Sequence, residues 1–357
     1  MTKEATVKSI LKPLAFLFSI LAAQMQAASA QAPSGQSEPV SFAGKRVSLF
    51  IGFSPIGFGY DTYGRILARY LGKYLPGNPS VVPQNRPGAG SIGLANYIFN
   101  AAPKDGTEIA LIGRGVAMDP LLNGAASTAK FDATKFYWLG SMNNEVAGFF
   151  VSDKSPVQDQ KEILAGRELQ VGSNGAGSDP QMFAVASNAI LRTKLKIIAG
   201  YPGMNEILLG MSSGELDGVL GYSWGVARVG SADQIKRGEI KLVMQLALHK
   251  HRELPDVPLI TDLVPEGEGK QVLELIFSRQ SMGRPVVAPP GLDPRVAATL
   301  RKAFADVMHD PEFIAECDKI NLEISFVSGE EVQSLIDSLY RLPANVVTQA
   351  QKIVATK

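Results

Sequence analysis

Five glycine-rich loops, at residues 54–61, 85–91, 113–117, 172–179 and 221–225, follow short apolar runs, and most open onto a segment with helical spacing. That alternation of strand, turn and helix points to an α/β protein with largely parallel sheets. The first unit sets the pattern. Arg46, Val47, Ser48, Leu49, Phe50 and Ile51 read as a strand, and Tyr63, Ile66, Leu67, Tyr70, Leu71 and Tyr74 then recur at helical spacing. Asp61 is the expected N-cap of that helix. Further strands are expected over 108–112, 195–199, 218–220 and 241–248, and helices over 92–101, 180–191 and 205–213. Asp293 followed by Pro294 reads as a cap with proline at the first helical position, and Ser328 with Glu331 as a capping box.

In open α/β sheets the loops at the carboxyl ends of strands line the ligand crevice. Glycine lets the backbone approach a ligand closely, and free N–H groups at helix starts attract anions. The five loops therefore suit a small anion held largely by backbone donors.

The first thirty residues carry a different pattern. Lys3, Lys8 and Lys12 form a basic start, residues 13–23 are apolar, and Ala28-Ser29-Ala30 is a small-residue cleavage site. This is the order of a secretory signal peptide cleaved after Ala30, and the apolar run is too short to span a bilayer. Cleavage removes three Lys and one Glu and takes the formal charge from +1 to −1. Residues 31–39 read as a flexible leader. The mature chain is expected to be exported and periplasmic, with no global basic field for nucleic acid. Cys317 is the single cysteine of 357 residues, and His249, His251 and His309 are the only histidines. A disulfide framework, a cysteine zinc site and a histidine-rich metal site are thereby excluded, and no cofactor is expected. Cys317 reads as a semi-buried spacer and Trp138 as packed beside a strand crossing; Trp224 fits either a core or a cleft wall.

Two motifs suggest enzymes. Gly88-Ala89-Gly90-Ser91-Ile92-Gly93 matches G-x-G-x-x-G, but Pro83 and Pro87 before it do not suit a central strand. Gly221-Tyr222-Ser223-Trp224-Gly225 matches G-x-S-x-G, the form of a hydrolase nucleophile elbow. Its histidine partner would have to be His249 or His251, in what reads as a polar surface turn, or His309 at a helix end.

The same loops, in this order, resemble the periplasmic substrate-binding receptors of tripartite tricarboxylate transporters, the Bug receptor family. The residues that carry the resemblance are Phe53-Ser54-Pro55 through Asp61, Asn85-Arg86-Pro87-Gly88-Ala89-Gly90-Ser91 and Ala102-Pro103-Lys104-Asp105-Gly106-Thr107. The stretch from Gly172 to Pro180, Leu254-Pro255-Asp256-Val257-Pro258, Ala288-Pro289-Pro290-Gly291 and Asp310-Pro311-Glu312-Phe313 also fit. The chain departs from the family in three places. Ile56 and Phe58 flank Gly57 where two adjacent glycines are usual, Tyr222-Ser223-Trp224 is bulky, and Arg114 replaces a small polar residue.

The resemblance implies a two-lobe periplasmic binding protein of type II-like architecture that closes around a di- or tricarboxylate. Crossing strands join the lobes at a hinge. The implied first lobe covers 40–141 and 251–343, the second 142–250, with 344–357 as a C-terminal tail. The implied ligand contacts are Ser54, Ile56, Gly57, Phe58, Gly59, Asp61, Asn85, Gly88, Ala89, Gly90, Arg114, Ser173, Asn174, Gly175, Gly177, Ser178, Asp179, Tyr222, Ser223 and Trp224. The implied protein is a monomer that does no chemistry and hands its ligand to the membrane subunits of a transporter. A secreted serine hydrolase using Ser223, and a ligand-sensing receptor without transport, are the alternatives. Arg114 offers a two-point contact to a carboxylate, and on this reading its replacement by alanine leaves the melting temperature of the free protein almost unmoved.

Overall fold

The computed structural model describes residues 40–55, 59–175 and 178–355. The expected signal peptide, cleavage site and leader, together with Ile56, Gly57, Phe58 and Gly177, lie outside the described residues. In chain order the strands are β1 (Arg46–Ile51), β2 (Ser80–Asn85), β3 (Glu108–Leu111), β4 (Tyr137–Ser141), β5 (Ala147–Ser152), β6 (Glu168–Ser173), β7 (Lys194–Ala199), β8 (Gly218–Ser223), β9 (Ile240–Leu246), β10 (Pro285–Ala288) and β11 (Val327–Ser328). They form two sheets, ordered β11-β4-β10-β3-β1-β2 and β7-β6-β8-β5-β9.

The α/β class is as expected, but both sheets are mixed. β1 is parallel to β2 and β3, and β6 to β7 and β8. β10 runs antiparallel to β3 and β4, β11 to β4, and β5 to β8 and β9. β5 and β10 are the strands by which the chain enters the second sheet and returns to the first, and they run opposite to most of their neighbours. β2 is an edge strand, which tolerates Pro83. The G-x-G-x-x-G stretch therefore follows an edge strand and not the central strand a dinucleotide fold requires.

Alternation in β1 buries Val47, Leu49 and Ile51 against Ile66, Leu67 and Leu71 of the helix Tyr60–Tyr74. A second core runs from one sheet to the other, through Ala110, Trp138 and Val287 to Phe149 and Phe183. Trp138 is fully buried, and its indole N–H donates to the Ala133 carbonyl at 3.1 Å. Cys317 is fully buried rather than half so, and burial pushes its thiol up to about 12. The segment expected as a C-terminal tail is a helix, Ala344–Val354. Val346, Ala350 and Ile353 fall on one face of it and enter the shared core.

Two segments carry the chain between the sheets. Residues 142–146 lie beside the approach to β10: Glu145 N–H donates to the Gln280 carbonyl at 2.7 Å and Gly283 N–H to the Asn143 carbonyl at 3.0 Å. A Cβ on Gly283 would sit 2.5 Å from Asn143 Oδ1, so a larger residue there would force the Asn143 side chain to move. On the return path the buried Gln245 donates to the Leu254 and Val257 carbonyls, both at 2.8 Å, and accepts from His251 N–H at 2.7 Å. That one side chain organises the Leu254-Pro255-Asp256-Val257-Pro258 turn.

Helix ends follow the sequence at Asp293 and the Ser328–Glu331 capping box, and Ser178, expected as a ligand contact, is the N-cap of the helix Asp179–Leu191. Asp61 differs. Gly59 is the N-cap of the helix Tyr60–Tyr74, and Asp61 sits in its first turn, accepting from Arg65 Nε at 2.8 Å and Asn85 Nδ2 at 2.7 Å. Its carboxylate is taken by those partners in place of the backbone.

Asp310 caps the helix Pro311–Lys319, accepting from Glu312 N–H at 2.8 Å and Phe313 N–H at 3.4 Å. It also accepts from Lys73 Nζ at 2.9 Å and Tyr74 Oη at 2.8 Å, joining two helices. Burial raises its pKa, but Lys73, Tyr74 and the two N–H groups outweigh that and hold it at about 2. The folded value lies below the ordinary one, so the stabilisation is present above pH ~4 and fades as pH falls toward 2. Asp310→Ala should lower the unfolding free energy by about 1–2 kcal/mol at pH 7 through loss of the cap. Urea melts should show the gap to wild type closing between pH 4 and 2; a gap independent of pH would show that the carboxylate charge contributes nothing.

Candidate functional site

Glycines bring the carboxyl ends of β1 and β3 against the loop that follows β2. A Cβ on Gly52 would lie 1.9 Å from Ser91 Oγ, and one on Gly113 would lie 2.9 Å from the Gly90 carbonyl oxygen. Gly88, Ala89, Gly90 and Ser91 have φ of 152°, 46°, 60° and 81°. Four successive residues with positive φ curl the chain, and Ala89 and Ser91 tolerate it only because the surrounding packing dictates it. Asn85 closes the base of the loop, donating to the Phe53 carbonyl at 2.9 Å and to Asp61.

These loops face the second sheet across a cavity of about 1100 Å³. Phe53 stacks on Tyr60 with ring centroids 4.0 Å apart, and Tyr60 Oη accepts from Arg114 N–H at 2.9 Å. The Arg284 guanidinium lies 4.5 Å from the Tyr60 ring and 4.9 Å from the Tyr63 ring.

The polar wall is a chain of five charged side chains. Arg114, after β3, pairs through Nη2 with Asp179, in the first turn of the helix Asp179–Leu191 on the second sheet. Its Nη1 lies 3.2 Å from Glu145 Oε2, on the crossing segment. Arg279 Nη1 is 3.4 Å from the other oxygen of Asp179, and Arg284 Nη1 is 3.3 Å from Glu145. Ser223 Oγ donates to Glu145, and the buried Gln280 donates to Asp179 at 3.4 Å. All five charged side chains are at most 20% exposed. Each carboxylate lies between two guanidiniums, and three guanidiniums face two carboxylates, so the chain carries one positive charge in excess.

Burial raises the pKa of Glu145, but Arg284 and Arg114 outweigh it and hold the carboxyl below its ordinary value. Burial likewise opposes ionisation of Asp179, and Arg114 and Arg279 overcome it. Burial disfavours the charge on Arg114, while Asp179 and Glu145 more than restore it. All three groups are ionised at neutral pH.

The family model for the receptors of tripartite tricarboxylate transporters matches residues 64–349. The chain belongs to this family. It is 24% identical over 320 residues to a protein encoded in the gbd 5′ region of Cupriavidus necator, covering 87% of this chain and 89% of that one. Its fold matches a TctC solute-binding protein from Polaromonas with a TM-score of 0.69 and 20% identity, over 89% of this chain and 100% of that chain. A protein of R. palustris solved with adipate matches with a TM-score of 0.59 and 18% identity, over 87% and 98%. The receptor is a two-lobe solute-binding protein and not an enzyme.

Of the side chains and loops singled out in the sequence, Gly59, Ala89, Gly90, Arg114 and Ser223 line the cavity, and Asp179 is joined to it through Arg114. Others build the loops instead. Asn85 and Asp61 bond to each other; Ser173 Oγ donates to Gln181 at 2.8 Å and accepts from Gly175 N–H; Ser178 caps its helix and donates to the Gly175 carbonyl. Ser54 and Asn174 are exposed, and Gly88 opens the curled loop. Tyr222 points into the second sheet's core, 3.1 Å from Ser231 Oγ. Trp224 is half-buried, its indole N–H donating to Glu253 at 2.9 Å. Ser223 donates to Glu145 and not to a histidine, while His251 Nε2 lies 3.2 Å from Glu323, so the nucleophile-elbow reading finds no base.

Glu145, Arg279 and Arg284 were not singled out in the sequence; Tyr60 lay inside the loop 54–61, and Tyr63 read only as a position on the helix face. A signal existed: Arg279 and Arg284 stand between the apolar runs Leu275-Ile276-Phe277 and Pro285-Val286-Val287-Ala288, where isolated charges demand buried partners.

The pairing of Arg114 reverses the expectation for its replacement. Arg114→Ala leaves each carboxylate with a single guanidinium. It should cost about 2–3 kcal/mol of stability, somewhat under the 3–5 kcal/mol for breaking a buried pair outright. Asp179 and Glu145 contribute above their ordinary values of about 3.9 and 4.3, and that contribution is lost as pH falls below them. Thermal melts from pH 7 to 3 should show the gap between variant and wild type narrowing below pH ~4, because the wild type has more carboxylate stabilisation to lose; an unchanged melting temperature at pH 7 would detach Arg114 from the network.

Proposed function

We propose that the receptor is exported, with its signal peptide cleaved after Ala30, and captures a carboxylate between its lobes for the membrane subunits of a tripartite transporter. The proposed first lobe spans 40–141 and 251–343, and the second 142–250. The observation that carries this reading is the excess guanidinium at the seam, where Arg114 reaches from the first sheet to Asp179 on the second. A bound carboxylate would add the anion that three guanidiniums and two carboxylates lack. Gly59, Ala89, Gly90, Arg114 and Ser223 are the proposed contacts. The adipate held by the R. palustris protein supports a carboxylate as the ligand class.

A thermal-shift screen with carboxylates tests this. A ligand at a hundred times its Kd should stabilise the folded protein by about 2.7 kcal/mol, and neutral amides of the same shape should not. The best ligand should change tryptophan fluorescence through Trp224, on the short helix Trp224–Gly230 whose Gly225 and Val226 line the cavity. Trp224→Phe should remove most of the change; a signal carried by the buried Trp138 alone would detach the Trp224 segment from the site.

A further inference from the structure

Part of the cavity lining is apolar and comes from both sheets' sides of the cleft. Val226 and Val229, on the helix Trp224–Gly230, are 57% and 40% exposed and line the cavity. Ile320 and Leu322 line it from the first-sheet side, with Ile320 40% exposed. Among the described residues, large apolar side chains are exposed at Leu209, Val226, Val229, Ile314 and Ile320, and three of these five share this one cavity. Apolar surface left in water and gathered in one place marks a binding surface. The volume, about 1100 Å³, is slightly above the range of roughly 300–1,000 Å³ that holds drug-sized ligands.

The charges set a further limit. The seam has one guanidinium in excess, and the other charged side chains on the wall, Asp119 and Glu323, are acids. Asp119 accepts from Asn123 and Ser127, and Glu323 faces His251 at 3.2 Å. A second carboxylate on the ligand would meet acids or apolar side chains. We infer that the cleft takes a monocarboxylate with an apolar body of about six or more carbons, its carboxylate at the Arg114 seam and its body between Val226, Val229 and Ile320. This rests on the proposed carboxylate-receptor reading and narrows its ligand to amphiphilic monoacids, in place of the di- or tricarboxylate the family resemblance implies.

Titration calorimetry of the mature protein against butanoate, hexanoate, octanoate, octanedioate and octanamide tests it. Affinity should rise about fourfold per added methylene, the fold-change that corresponds to about 0.8 kcal/mol per buried CH₂. Octanedioate and octanamide should each bind at least tenfold more weakly than octanoate. Val226→Asn with Ile320→Asn, both at exposed positions, should keep the melting temperature and flatten the chain-length series. Octanedioate tighter than octanoate, or a flat wild-type series with butanoate and octanoate equal, overturns the inference and leaves the carboxylate reading standing. Octanamide as tight as octanoate, or no binding by any acid, overturns the carboxylate reading as well.

Discussion

Two buried carboxylates, each lying between two guanidiniums, join the parts of this receptor that separate segments of chain supply. Asp179 comes from the second sheet, Arg114 from the first, and Glu145, Arg279 and Arg284 from the connections between them. Taking five charges out of water is expensive, and buried ion pairs rarely return more than they cost. Their effect is on arrangement. Any sliding of one sheet against the other leaves a buried charge without its partner, so only one relative placement is cheap. The same network carries one positive charge in excess and so couples how the halves meet to what can bind between them.

The loops around that seam are shaped by close approach. Gly52, Gly113 and the curled stretch 88–91 pack so tightly that a single methyl group would collide with Ser91 or with the Gly90 carbonyl. This brings Tyr60 under Arg114 and beneath Arg284, where aromatic faces add to the hold that Glu145 has on the cation. The aliphatic part of the lining comes from a seven-residue helix and from the segment after the helix Pro311–Lys319.

Much of the local structure was legible because it follows from short-range chemistry. Alternating Val47, Leu49 and Ile51 make a strand, and Ser328 with Glu331 makes a capped helix wherever the rest of the chain lies. Pro83 told against a central strand, and β2 is an edge strand. Other features were misjudged where a distant partner decided them. Asp61 has the chemistry of an N-cap, yet Arg65 and Asn85 claim its carboxylate. Residues 344–354 have an apolar face at Val346, Ala350 and Ile353 that reads as a tail until the helices Asp179–Leu191 and Glu268–Phe277 provide something to cover it.

The sequence by itself determined the α/β class, the glycine loops at strand ends, the family and the presence of a fixed cation at Arg114. Each rests on neighbours within a few residues or on motifs read in order along the chain. Tertiary structure alone decided that both sheets are mixed and that Arg114 meets Asp179 and Glu145. It also gave Asn85 to Asp61 and the Phe53 carbonyl, and gathered Val226, Val229 and Ile320 on one cavity. The reason is the same in each case: a side chain's role in a cleft depends on which remote segment neutralises its charge or covers its surface, and spacing along the chain carries no record of that.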